Sequence, residues 1–211
     1  MSEDKIRQDI VRWSRSLFER RFTVGSSGNI SVKLDDCYIV TPTNSCLGFL
    51  EPEKLSKLDR TGAHVAGDAP TKELPLHLAF YEARPAAFAV VHLHSTYATA
   101  LSCLADTDAA DAMAPITPYM VMRVGRVPVI EYVRPGSTDI APLIRAKAAD
   151  HVAVLLANHG PVVAAQSLEA AVYAMEELEE TARLLMLTRG MKVRHLDAGQ
   201  IAELEQTFRL R

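Results

Sequence analysis

The sequence predicts one α/β domain in which a central sheet is covered by helices. Three observations predict it. Helical-period apolar stripes stand near both ends of the chain. Apolar, strand-like runs fill the middle. No linker, low-complexity segment or internal repeat divides the 211 residues.

The elements follow in chain order. Ile6, Ile10, Trp13 and Leu17 form one face of an amphipathic helix, with Ser2 as its N-cap and Glu3 and Asp4 in its first turn. The loop from Gly25 to Asn29 ends that element. Ile30–Val32 and Tyr38–Val40 flank Asp35-Asp36 and read as a β-hairpin, and Pro42–Asn44 marks a further turn. A second helix is expected from near Thr71, with Leu74, His77, Leu78 and Tyr81 along one face, stopping before Pro85. Ala87–His94 is a continuous apolar run ending in two histidines, as in a buried strand that reaches a site. Val127–Tyr132 and Val152–Ala157 are expected as further strands. A last long helix begins after Ser167, keeps its stripe from Leu168 to Leu185 and meets Gly190 as C-cap; the tail to Arg211 carries a shorter helical pattern at Ala198–Phe208.

Composition removes several classes of function. With 23 basic and 26 acidic residues, a net charge of −3 and no basic run, nucleic acid is not an expected partner. Charged residues at 23% and apolar residues at 48% are ordinary for a globular chain. A chain of this length buries enough apolar surface to fold without disulfides or a structural metal. Cys37, Cys46 and Cys103 are odd in number and widely spaced, which points to a reducing compartment. The charged N-terminus lacks a signal-peptide core and no apolar run is long enough to span a bilayer, so a cytoplasmic protein with no membrane partner is expected.

The chemistry gathers on a few side chains. In His92-Leu93-His94 the two imidazoles share a strand face, because residues i and i+2 point the same way, so both can reach one ion. Taken alone, H-x-H more often marks polar residues at a strand end. Asn158-His159-Gly160-Pro161 follows a second apolar strand; Gly-Pro is a turn signal, yet His159 stands where a third ligand is needed. Three neutral imidazoles leave an open coordination position, the arrangement of a catalytic rather than a structural zinc. Glu73, beside Lys72, reads either as an acidic residue in a first helical turn or as a fourth ligand and general acid/base. Gly28-Asn29 and Thr41–Ser45 are rich in small donors able to cradle phosphate, although neither matches a nucleotide-binding fingerprint and ordinary hairpin turns would look the same. His64, His77, His151 and His195 read as structural or surface residues.

These pieces, in the order G-N-I-S, T-P-T, K-E, V-V-H-L-H-S and N-H-G-P, resemble the class II aldolase/adducin family from about Ile6 to Gly190. The resemblance implies a three-layer αβα domain over residues 1–211 with a central, mainly antiparallel sheet, assembled as a homotetramer with sites near subunit interfaces. It implies a divalent ion, zinc first with manganese or cobalt as alternatives, on Glu73, His92, His94 and His159. It implies Asn29 and Thr43 as phosphate contacts, and Tyr119 as a site-edge tyrosine that assists proton transfer; a buried core tyrosine is the other reading. The stretches TPTNSCLGFLEPEKLSKLD and VVHLHSTYATALSCL are similar to one branch, the 3-oxo-tetronate 4-phosphate decarboxylases. That branch implies a carboxy-lyase of acid-sugar catabolism acting on a small phosphorylated sugar acid. Asn44 and Thr71-Lys72 stand where sugar-phosphate aldolases carry glycine and two serines. Asn44 and Lys72 therefore become expected substrate contacts, with Arg123 a further anion contact. The rivals are a fuculose-phosphate-like aldolase or epimerase, and a non-catalytic adducin-like interaction module.

Overall fold

Ser2 starts the first helix as its side chain predicts: its Oγ accepts the backbone N–H of Lys5 at 3.3 Å. Loss of such a cap costs about 1 kcal/mol. The computed structural model describes residues 2–208; Met1 and residues 209–211, the end of the expected tail, lie outside the described residues. In chain order the elements are α1 (Glu3–Glu19), β1 (Asn29–Lys33), β2 (Cys37–Val40), β3 (Ser56–Asp59), β4 (His64–Ala66), α2 (Leu74–Ala83), β5 (Ala89–His92) and α3 (Thr96–Ser102). There follow α4 (Pro118–Arg123), β6 (Val129–Ile130), α5 (Ile140–Ala148), β7 (Ala153–Leu156), β8 (Gly160–Ala165), α6 (Leu168–Leu187) and α7 (Ala198–Thr207).

The strands form one 8-stranded sheet in the order β4-β3-β2-β1-β5-β8-β7-β6. Every pairing is antiparallel except β6 with β7. Strand side chains alternate between two cores. Ala89 and Val91 of β5 join a core with Ile6, Ile10 and Leu17 of α1 and the apolar stripe of α6. Val90, between them, joins a second core with Leu76 and Phe80 of α2 and Ile144 of α5. Helices thus cover both faces, and the central strands read as unbroken apolar runs because neither face meets water. This is the αβα arrangement with a mainly antiparallel sheet.

Several boundaries differ from the expectation. The second helix begins at Leu74 rather than near Thr71, because Pro75 suits a first turn and leaves Glu73 as the N-cap residue. Gly190 does not cap α6, which ends at Leu187 with Thr188 as C-cap. Gly160-Pro161 is not a turn: both residues lie in β8, paired with Leu156 and Leu155 of β7. The turn sits just before them, where Asn158 takes the left-handed region at φ 56°, a conformation asparagine tolerates better than most residues.

Candidate metal centre

Four segments meet at one end of the sheet. Asn29 of β1 is in register with His92, the last residue of β5. His94 lies just past the strand rather than on it, between Leu93, which is buried in the α1/α6 core, and α3. His159 projects from the β7–β8 turn, and Glu73 stands at the N-cap position of α2 without a side-chain cap bond. Their donor atoms all fall within 4.8 Å of one another. His94 Nε2 is 3.1 Å from His92 Nε2, and the two Glu73 oxygens stand 3.4 Å from His92 Nε2 and from His159 Nε2. The three imidazole rings pack edge to face, with centroids 4.6 to 4.9 Å apart.

Close backbone packing makes the convergence possible. Any Cβ on Gly160 would run into the Leu93 carbonyl oxygen, so the turn that carries His159 reaches the β5 exit only with glycine there. Gly28, at φ 81°, is less tight but close: a Cβ would stand 3.0 Å from the His92 carbonyl oxygen. Helix α3 secures the other side. Thr99 Oγ1 donates to the His159 carbonyl at 3.1 Å, and Ser102 Oγ accepts the His159 N–H at 3.3 Å. Helix α3 is itself held by Glu179 of α6, whose carboxylate accepts the N–H groups of Tyr97 and Ala98 at 2.8 and 2.9 Å. That acceptor sits at a helix N-terminus, where negative charge is favoured.

The donor chemistry fits a divalent cation. His92 Nδ1 lies 2.9 Å from the Pro161 carbonyl, which only accepts, so Nδ1 carries the proton and Nε2 presents a bare lone pair to Glu73 and His94. This is the ring orientation found in metal-ligating histidines. Burial lowers the pKa of His92 to about 4, and burial likewise lowers those of His94 and His159, so all three rings are neutral near pH 7. Burial opposes ionisation of Glu73, but the charge that His92 and His159 carry when protonated, together with the Asn29 hydrogen bond, outweighs it and puts the carboxyl below its usual range. A carboxylate and three lone pairs turned on one point call for a cation.

The other expected site residues fall in three places. Asn29 is in the centre: its Nδ2 donates to Glu73 Oε2 at 2.8 Å. Thr43, Asn44 and Lys72 lie alongside. The loop that carries Thr43 and Asn44 runs beside Ala69–Thr71, through Thr43 N–H to Ala69 O at 2.9 Å and Thr71 N–H to Thr41 O at 3.3 Å. Among the described residues the side chains of Thr43, Asn44 and Lys72 make no hydrogen bond. Tyr119 and Arg123 are elsewhere. Tyr119 is 53% exposed on α4, which corrects the core reading of that residue. It lines a shallow cleft with Phe22, Arg123 and Tyr173, separate from the histidines.

Five residues at or behind the centre were not singled out for it by sequence reasoning. Arg134, with Glu131 and Ser137, lines a small cavity that opens against Glu73 and His159. Glu179 carries the cap described above, and its signal is only a carboxylate on the buried stripe of α6. His77 was read as structural or surface; it is fully buried and bonded to Asn29.

Comparison with known proteins places the chain in a family. Residues 8–186 match the model of the Class II Aldolase and Adducin N-terminal domain. The chain belongs to this family. Within it, the chain is 50% identical over 204 residues to the 3-oxo-tetronate 4-phosphate decarboxylase of Pectobacterium atrosepticum, covering 96% of this chain and 94% of that one. It is 33% identical over 184 residues to the L-fuculose phosphate aldolase of Methanococcus maripaludis, covering 87% of this chain and 98% of that one. The crystal structure of YgbL from Escherichia coli superposes with a TM-score of 0.94 at 48% identity, covering 96% of this chain and 98% of that one. The His/Glu cluster of this class II aldolase relative stands in a fold shared along nearly the whole chain.

Proposed function

We propose that this chain is a metal-dependent 3-oxo-tetronate 4-phosphate decarboxylase that releases carbon dioxide and leaves dihydroxyacetone phosphate. The observation that carries the reading is near-full-length similarity at 50% identity to a decarboxylase of that name, joined to a His/Glu cluster with converging donors.

Loss of carbon dioxide from a 3-oxo acid leaves an electron pair that the neighbouring carbonyl must accept. His92, His94, His159 and Glu73 would hold a divalent ion, which would supply Lewis-acid chemistry there. The chain's own groups do the rest. The neutral imidazoles keep the donor set intact near pH 7. Glu73, ionised and tied to Asn29, is the group placed to take a proton from water and pass it to the C2 carbon vacated by the carboxyl. Asn29 retains a second N–H on its amide. With Thr43, Asn44 and Lys72, whose side chains are uncommitted, it forms the proposed contact set for the substrate's phosphate and carboxylate. Lys72→Met is expected to raise KM with kcat nearly kept; no change in either parameter removes Lys72 from this set.

Zinc is the proposed ion, with manganese and cobalt as alternatives the same donors accept. The proposed unit is one domain over residues 1–211, assembled as a cytoplasmic homotetramer. Tyr119 and Arg123 are exposed and line a cleft separate from the centre, so a catalytic part for Tyr119 would require a neighbouring subunit's site. Among the described residues no helix is long and apolar enough to cross a membrane.

The deciding experiment follows carbon dioxide release from both enantiomers of 3-oxo-tetronate 4-phosphate. Release from one enantiomer, abolished by chelation and restored by zinc, is expected. No release, with aldol products formed from dihydroxyacetone phosphate and small aldehydes, would make the chain an aldolase instead.

A further inference from the structure

Behind Glu73 runs a buried chain of hydrogen bonds whose direction is set atom by atom. Asn29 and Ser31 lie two apart on β1 and point to the same face of the sheet. Glu73, His77 and Tyr81 recur every fourth residue along one side of α2 and its cap. The two periods interlock in the order Glu73, Asn29, His77, Ser31, Tyr81. The contacts are Asn29 Nδ2 to Glu73 Oε2 at 2.8 Å, His77 Nε2 to Asn29 Oδ1 at 2.5 Å, Ser31 Oγ to His77 Nδ1 at 2.7 Å and Ser31 Oγ to the Tyr81 hydroxyl at 2.8 Å. Ser31 and His77 are wholly buried, and Asn29 and Tyr81 are 5% exposed.

Each proton in this chain has one place. The Glu73 carboxylate accepts, so the Asn29 amide turns its nitrogen toward it and its oxygen toward His77. His77 therefore carries its proton on Nε2 and leaves Nδ1 to accept from the Ser31 hydroxyl. The Ser31 oxygen then accepts from Tyr81. A flipped Asn29 amide would set two oxygens against each other at Glu73 and leave a buried acceptor unpaired, which costs about 1–3 kcal/mol.

We propose that His77 is a positioning residue for the metal centre: by donating from Nε2 it locks the Asn29 amide, and Asn29 in turn holds the Glu73 carboxylate against His92 and His159. His77 touches neither ion nor substrate. Its effect passes through Asn29, in the way outer partners orient metal ligands. The proposal rests on the reading of Glu73 as part of the metal centre and not on the identity of the sugar acid.

Two substitutions at one position separate the relay from simple packing. In His77→Gln the terminal amide nitrogen stands near the place of Nε2 and can still donate to Asn29. In His77→Asn the shorter side chain reaches only the place of Nδ1 and keeps Ser31 while abandoning Asn29. Both are compared with the wild-type chain after Co2+ loading, by visible absorption, by chelator competition and by steady-state kinetics. His77→Asn is expected to alter the Co2+ bands and to lower kcat or metal affinity by roughly ten- to a hundredfold. His77→Gln is expected to keep the wild-type bands and most of kcat. Equal losses in both folded variants, or wild-type bands and kcat in His77→Asn, would overturn the relay. Should His77→Asn not fold, His77→Gln decides alone: wild-type bands with most of kcat kept support the relay, and altered bands or a roughly tenfold loss of kcat in the folded variant overturns it. A wild-type chain that releases no carbon dioxide would count against the substrate alone, and the Co2+ spectra would still decide the role of His77.

Discussion

The metal centre and the Tyr119 face place polar groups in opposite ways. At the centre, His92 and His77 are wholly buried, and each ring nitrogen has an assigned neighbour. On α4, Tyr119 is 53% exposed, and the contact recorded for its ring is the Arg123 guanidinium 5.9 Å from the centroid. Water can replace nothing in the first region, so every donor and acceptor there must be matched inside the protein. Water serves the second region fully. A lone chain therefore has a complete donor set and an aromatic face with no internal task, and changes in the two regions are expected to register in different measurements.

The largest expected effect is at the donors. His94→Ala is expected to lose bound ion and more than about a hundredfold in activity, since even partners outside the donor set are worth ten- to a hundredfold. Metal content of the purified variant, measured beside turnover, checks this; full turnover in a metal-free preparation would break the comparison at its base. Glu73→Gln comes next. It keeps the shape and removes the charge, so the fold stays and kcat falls by roughly 10²–10⁴, the range for a lost general acid/base. Wild-type rates would remove Glu73 from proton transfer. Glu179→Ala takes the acceptor from two N–H groups at the start of α3, and a loss of about 1–3 kcal/mol in stability is expected from denaturant unfolding. A shift near zero would show that α3 does not depend on α6 for its position. Tyr119→Ala is expected to change the unfolding free energy by no more than about 0.5 kcal/mol, as for an exposed substitution. Sedimentation then sharpens the contrast: a shift to smaller species marks the face as an assembly surface, and an unchanged profile removes it from assembly.

Much of this was legible from local patterns. The stripe Ile6-Ile10-Trp13-Leu17, the cap Ser2, the start of the last long helix after Ser167, and the hairpin around Asp35-Asp36 appear in the structure where local pattern puts them. The short elements were not legible. β3, β4, α3, α4 and α5 are too brief for a period to stand out, and they take their conformation from neighbours. Gly160-Pro161 misled because a Gly-Pro pair signals a turn locally. In β8 the proline lacks only a donor, while its carbonyl receives both Leu93 N–H and His92 Nδ1. Strand geometry was also only half right for His92-Leu93-His94. β5 ends at His92, and His94 joins the centre from the loop before α3 rather than through period-two alternation.

The sequence by itself determined the ingredients. It contained the imidazoles and the carboxylate of the candidate centre, the apolar runs that precede two of its segments and the spacing of Glu73, His77 and Tyr81. Those properties live in residue type and local period, which a chain displays before it folds. Tertiary structure alone decided their meeting. Glu73, His92 and His159 are far apart in sequence and converge because β1 pairs with β5, β5 with β8, and α2 crosses the same face. It also decided that His77 stands in the Glu73 relay and that Tyr119 stands in water. Burial and hydrogen-bond partners depend on contacts between distant segments, and no local period encodes them.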